Sequence, residues 1–388
     1  MKILYKQISD YMSQQHGTMV TLLEQLVNIE SGPEQPEGID AIIEVFKREF
    51  DQLGLESRII EMERAGNTIV SVYKPEGVES DKPIVLSGHM DTVFQPGVLS
   101  EHSFKYMDDR FARGAGISDM KGGLVIALYT LKALIHLGYK KHPVKMLFIG
   151  DEETLHRHSN TRQVMLEELK GAAMMLNFEP ATEAQHLGVS RKGGAMVTLE
   201  VDGIGAHSGG GATIGRSAIV ELAYKIIELE SKTDIQRGKL INCGLIEGGV
   251  STNTIPAYAK ANIAIRFSNQ ATKDEILRDL ENIVTTSHIQ DTTSRYTVES
   301  FLDAMEFTLE VSQLADHFIK VGSECGYGPL VKNKSEGVSD ASLGVVAGVP
   351  TLCSMGIIGS GAHTMEEEAD LDSLVGKAVL AVSGIIAY

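Results

Sequence analysis

Cysteine is scarce in this 388-residue chain: Cys243, Cys325 and Cys353 are far apart, odd in number and form no CxxC pair. That excludes a disulfide framework and a cysteine-built zinc site, and it suits a reducing cytosol. Basic residues are outnumbered, 35 Lys and Arg against 52 Asp and Glu, for a formal net charge of -17. That balance argues against a nucleic-acid partner, which would want a basic face; the acidity serves solubility and names no substrate. No apolar run approaches the ~20 residues of a membrane span. The opening MKILYKQISDYMSQQ lacks the charged start and long apolar stretch of a signal peptide. Internal repeats and low-complexity segments are absent as well. The expectation is a cytoplasmic protein with no membrane or nucleic-acid partner.

At 388 residues the chain exceeds one ordinary core, so two domains are expected. Ile8, Tyr11, Met12, Met19, Leu22, Leu23, Leu26 and Val27 recur near a period of 3.6, and Ile39, Ile42, Ile43, Phe46 and Phe50 resume it after the breaker SGPEQPEG. Strands are expected at 57–61, 67–73 and 83–88, and a helix at 124–138. VKMLFIG (144–150) and AAMMLNF (172–178) are almost wholly apolar, as strands covered on both faces must be. The alternation implies an α/β fold: a mostly parallel twisted sheet flanked by helices. From about residue 190 the texture changes. AMVTLEVDG alternates apolar and polar, followed by a helix at 217–230, strands near 241–248 and 257–267, and a helix at 273–286. This is an α+β two-layer unit inserted in the first. A helix at 307–322, an apolar segment at 348–356 and a final helix at 370–387 return to the first texture. The expected division is a catalytic domain, 1–190 with 304–388, and an inserted domain, 191–303.

The polar residues stand where the apolar strands end. PIVLSG runs into His89 and Asp91, VKMLFIG into Asp151, Glu152 and Glu153, and AAMMLNF into Glu179. Ligands of open α/β sheets bind at that rim. Asp119 and His363 lie in Gly-rich turns, GAGISDMKGG and GIIGSGAHTMEEE. Two histidines with several carboxylates suit zinc, manganese or cobalt. Two such ions, roughly 3.5–4 Å apart, can share a water if one carboxylate bridges them, and Asp119 is the natural bridge. Asp91 can accept the second N–H of His89 and set its tautomer. In an extended segment Glu152 and Glu153 would point oppositely, so one can bind metal while the other takes a proton from water. The plainer reading of the acidic triplet is a helix N-terminus, where such charges are favoured.

The motifs SGHMDTV, ISDMKGG, GDEET, NFEPA, GIGAHSG, GGVSTNTIP and GSGAHTMEEE, in that order along most of the chain, resemble those of the dinuclear zinc aminoacylase/carboxypeptidase metallopeptidase family (clan MH). The closest resemblance is to its glutamate carboxypeptidase (carboxypeptidase G) branch. The resemblance implies two zinc ions, with cobalt or manganese as substitutes. One is held by His89, Asp119 and Glu179, the other by Asp119, Glu153 and His363. It implies that Asp91 orients His89, that Glu152 is the general base, and that the bond after Asp119 is cis. It also implies that the inserted domain is a lid and a homodimer interface, that His207 reaches the partner's active site, and that Asn253 and Arg266 bind substrate. An arginine there can hold a carboxylate through two parallel hydrogen bonds. The implied reaction is hydrolysis of an amide next to a free carboxylate, in a small peptide or N-acyl amino acid. Dipeptidase, tripeptide aminopeptidase and desuccinylase are rivals within that chemistry. A non-catalytic metal-binding or scaffold protein, and a plain α/β binding protein, are rivals outside it. The chain departs from the family's DEExGxxGS, with Leu155 and His158 in place of glycines. His156 and His158 are expected in an exposed loop.

Overall fold

Three apolar runs form the centre of one sheet. Ile84–His89 and Met174–Asn177 are buried at every position, Val144–Gly150 at all but one. Such strands need cover on both faces. They lie within a six-stranded sheet ordered Ser57–Ile60, Gly66–Tyr73, Val144–Gly150, Ile84–His89, Met174–Asn177, Thr351–Leu352. The pairings from Val144–Gly150 to Thr351–Leu352 are parallel, while both pairings of Gly66–Tyr73 are antiparallel. The fold is therefore α/β with a mostly parallel sheet. Its register sets His89 beside Ile149 and Ser87 beside Asn177, so three strand ends finish on one rim.

This computed structural model describes residues 2–33 and 35–388; the breaker's Glu34 lies outside them. Gly122–His136 is apolar around nearly its whole circumference because it is enclosed. It packs on Ile84–His89 and Val144–Gly150 and against the helices Lys2–Val27 and Ser373–Ala387. The helix Pro36–Gln52 lies on Gly66–Tyr73, with Phe46 meeting Phe148 edge-on at 4.7 Å. A small antiparallel sheet of Ile358–Ser360, Glu368–Asp370, Phe111–Arg113 and Lys105–Tyr106 frames the loop of His363. Strands of two or three residues carry no readable period, so nothing in the sequence announces them. They also move the start of the last helix from the expected 370 to Ser373. Of the apolar segment 348–356, only Thr351–Leu352 is strand.

The chain divides into two units. One holds the residues up to Ser190 with Glu306–Ser335 and Ser339–Tyr388; the other holds Arg191–Met305 with Glu336–Val338. The second unit is an antiparallel sheet ordered Leu240–Gly248, Tyr258–Phe267, Gly193–Asp202, Thr293–Leu302. Its inner face supplies Val197, Leu199, Val201, Ile263 and Ile265, packed against Leu222 and Leu229 of helix Ala218–Glu230 and Ile276 and Leu280 of helix Gln270–Thr285. The edge strand Thr293–Leu302 has little apolar alternation because most of it is solvated. Among the described residues no helix is long and apolar enough to cross a membrane.

Candidate metal centre and active site

His89 ends its strand almost fully buried. Its Nδ1 lies 3.0 Å from the backbone oxygen of Asp91 and 3.4 Å from that residue's carboxylate, leaving Nε2 to face outward. The Asp91 carboxylate has a second task that the sequence does not announce. It accepts the backbone N–H groups of Glu152 and Glu153, at 3.1 and 2.9 Å. One aspartate thus ties the end of the His89 strand to the acidic turn. That turn is not extended: Glu152–Thr154 is a single 3-10 turn, followed by Leu155 and His156 in the left-handed region (φ 52° and 56°). Two successive non-glycine residues there are costly, on the order of 1–3 kcal/mol each.

Asp119 sits in the short segment Ile117–Lys121, and its bond to Met120 is cis. Glu367, fully buried, holds this segment. Its two oxygens accept the N–H groups of Gly116, Ser118 and Asp119 and the hydroxyl of Ser118, each at 2.9 Å. Behind it the helix begins at Gly122, and Gly123 packs against the backbone oxygen of Phe178; a Cβ there would lie 1.9 Å from that oxygen. Glycine at 123 therefore lets the helix start abut the strand end that carries Glu179. Neither Glu367 nor this contact is legible as a function in the sequence, because Glu367 is one of three consecutive glutamates.

These elements bring two groups of side chains together: His89, Asp119 and Glu179, and Asp119, Glu153 and His363. Asp119 divides its oxygens between them. Oδ1 lies 3.2 Å from His89 Nε2, and Oδ2 lies 3.2 Å from His363 Nε2. His89 Nε2 is 3.8 Å from Glu179, and His363 Nε2 is 3.3 Å from Glu153. The groups differ in cover, since His363 is half exposed and in the left-handed region at φ 66°.

Charge is crowded here. Burial, then Glu179, Asp340 and Glu153, push the Glu152 carboxyl well above the usual range against the pull of His89. Burial and Asp119 raise Glu153 to about 7, although His363 opposes them. Hydrogen bonds to Asp119 and Glu153 hold His363 at about 11. Burial opposes ionisation of Asp119, but the bonds to His363 and His89 overcome it and keep it low. The imidazoles of His89 and His363 face these carboxylates, and Glu153 Oε1 is buried without a hydrogen-bond partner among the described residues. An orphaned buried oxygen beside a His/carboxylate donor set fits divalent cations of the zinc type.

The sequence profile of the peptidase family M20/M25/M40 matches residues 85–385. The chain belongs to that family. Carboxypeptidase G2 of Pseudomonas sp. (strain RS-16) is 29% identical over 356 residues, covering 90% of this chain and 84% of that protein. A Staphylococcus aureus tripeptidase structure superposes with TM-score 0.76 at 19% identity, covering 96% of this chain and 98% of that one. The M20 metallo-carboxypeptidase Sso-CP2 of Sulfolobus solfataricus gives TM-score 0.71 at 18% identity, covering 95% and 98%. The structural likenesses speak to the fold. As an M20 peptidase the chain is a metal-dependent hydrolase, and the two groups around Asp119 are its candidate ion-holding side chains.

The remaining candidates of this M20 chain lie in the second unit. His207 is exposed in the two-residue strand Ala206–His207, paired with Thr254–Ile255. The N–H groups of Gly209 and Gly210 both point at its Nδ1 (3.2 and 3.3 Å), so a neutral ring carries its proton on Nε2. Asn253 is its neighbour: its backbone oxygen accepts from Ser208 N at 2.9 Å. Arg266 is not with them. It stands at the far end of Tyr258–Phe267, about 26 Å of strand from Tyr258. His156 departs from expectation. His158 is exposed, but His156 is buried between Asp151 and Asp340. Its partner Asp340 is 184 residues away in sequence, so nothing near His156 marks it as a core residue.

Proposed function

We propose that this chain is a dinuclear carboxypeptidase or N-acyl-amino-acid amidohydrolase, cleaving an amide next to a free carboxylate. The observation that carries the reading is Asp119, one oxygen toward each ligand group, with the carboxyl of Glu152 buried next to the ligand candidate Glu153. His89, Asp119 and Glu179 would hold one ion, and Asp119, Glu153 and His363 the other, with zinc proposed and cobalt or manganese as substitutes. Bound there, such ions supply Lewis acidity toward the scissile carbonyl and lower the pKa of water. Asp91 fixes the His89 tautomer and the acidic turn. Glu152 takes the proton of the attacking water and passes it to the leaving nitrogen. Likeness to carboxypeptidase G2 favours a carboxypeptidase over the dipeptidase, tripeptidase or desuccinylase alternatives. The presence of Glu152 favours catalysis over a scaffold role.

The functional unit we propose is a homodimer through the inserted unit, which serves as lid. Val220, Tyr224 and Ile227 are exposed along one side of Ala218–Glu230, and Leu245 and Ile246 on the adjoining edge strand Leu240–Gly248. An exposed apolar edge of this kind calls for a partner. His207 and Asn253 would then serve the partner's site, the Nε2–H of His207 donating to the developing oxyanion. Arg266 would bind the substrate carboxylate. The cytoplasm is the proposed compartment, since the three cysteines form no disulfide.

Hydrolysis of N-acyl glutamates, other N-acyl amino acids, dipeptides and tripeptides, with and without chelator, tests the reading. Chelator-sensitive release of a C-terminal amino acid, with two metal equivalents per chain, is expected. Turnover that survives full metal removal would sink it. Mixing His207→Ala with Glu152→Ala chains should restore activity in heterodimers; no rescue after confirmed subunit exchange overturns the trans role.

A further inference from the structure

The acidic turn is held from two sides. On one side Asp91 accepts the N–H groups of Glu152 and Glu153. On the other, the buried ring of His156 lies with Nδ1 3.0 Å from Asp151 Oδ1 and Nε2 2.8 Å from Asp340 Oδ1. A ring flanked at both nitrogens by carboxylates donates from both. Burial alone would lower its pKa, but Asp340 and Asp151 reverse this and raise it well above the usual value. The second oxygen of Asp151 accepts the hydroxyl of Ser159, and the N–H of His156 points at the backbone oxygen of Asp151 (3.2 Å). Asp340 stands at the start of helix Ala341–Val346. The preceding Ser339 has its hydroxyl 3.4 Å from Asn177 Oδ1, which also accepts the N–H of Glu179 at 3.4 Å. One imidazole thus links the turn of Glu152 and Glu153 to the segment beside Glu179.

The backbone shows why such a link is required. Leu155 and His156 are both left-handed, a conformation that non-glycine residues keep only when surrounding contacts impose it. Leu155 is partly exposed, and its N–H bonds only within the turn, to Glu152 O at 2.7 Å. The His156 side chain, with two charge-assisted bonds, can impose it.

We propose that His156 is a positioning residue: bonded to Asp151 and Asp340, it holds the turn so that Glu152 faces the attacking water while Glu153 faces His363. The proposal rests on the roles given to Glu152 and Glu153 above. His156 touches no substrate and no proposed ligand; it acts through the turn.

The test uses full-length protein. In metal-free His156→Ala, hydrogen exchange of peptides spanning 151–160 is expected to quicken by about tenfold or more, while strand 144–150 keeps its protection. With metal content matched to wild type, kcat should fall about tenfold or more, with KM within about twofold. His156→Gln retains one donor and should recover part of both losses. Asp340→Asn, which keeps the local shape, should shift both readouts the same way and less. Unchanged exchange in 151–160 overturns the proposal, as does a rise shared by 144–150, which would mark His156 as general core. Loss of kcat and KM in proportion to lost metal also overturns it. Near-normal activity of Glu152→Ala would remove the assigned base, while the exchange readout still decides the clamp.

Discussion

The two ligand groups share Asp119 and differ in almost everything else. His89 and Glu179 are buried at the ends of central strands, whereas His363 is half exposed on a loop in a left-handed conformation. His89 and Glu179 of the first group follow central strands, whereas Glu153 and His363 of the second lie on a turn and a loop. The difference teaches that ligand placement here has two sources. Strand register sets His89 and Glu179, buried hydrogen bonds to Glu367 set the shared Asp119, and those to Asp91 and His156 set the turn of Glu153. Affinity should follow, with the ion of the first group held more tightly.

The sharpest test separates chemistry from either group. Glu152→Ala should lower kcat by about 10²–10⁴-fold while both metal equivalents stay bound, read by turnover and metal analysis. Near-normal turnover would refute the base. Next, His363→Ala should lose one ion of two and His89→Ala the more tightly held one, seen by titrating chelator against metal content. Equal losses in both variants would erase the distinction between the groups. Glu367→Gln should weaken both ions together by about 10–100-fold, because the Asp119 it orients is common to them. Weakening of one alone would mean that Asp119 does not bridge.

The smallest effect concerns the buried side. Lys377 donates to Ser354 O at 3.0 Å, near the segment whose Gly356 N–H bonds Glu179 O. Burial lowers its ammonium to about 7 from 10.5, against a smaller opposing effect of Cys353. Below about 7 both folded and unfolded states are protonated, so the cost of burying the charge is fully present. Between about 7 and 10.5 the unfolded state holds the extra proton, and stability rises with pH by at most ~1.4 kcal/mol per unit. Urea unfolding of metal-free wild type and Lys377→Met should show wild type gaining on the variant from pH 7 upward. A constant gap would mean an ordinary lysine.

What was legible in the sequence follows the same division. The central strands and the enclosed helix could be read because full burial writes itself as uninterrupted apolar runs. Strand ends then pointed to His89 and Glu179. Of the two readings of the acidic triplet, the extended segment does not hold and the helical one is nearer, because a 3-10 turn of three polar residues has no period. His156 was assigned to an exposed loop because its burial depends on Asp340, far along the chain. Glu367 was hidden by its neighbours Glu366 and Glu368, which bond Arg113 near the surface, whereas Glu367 faces the core. In the second unit, alternation showed one face of the sheet, but Thr293–Leu302 was missed for lack of it.

The inserted unit separates Glu179 from His363 along the chain, with Arg191–Met305 lying between them. During synthesis the amino-terminal part folds first. His89, Asp119 and Glu179 are then available while the inserted unit is still being made. His363 arrives only after it. At that earlier stage the chain also lacks Glu367, which holds the Asp119 segment, and Asp340, which holds His156, so neither ligand group is fully set. Full assembly of the centre waits on complete translation of the inserted unit, so chains broken off between 180 and 362 lack a ligand of the second group.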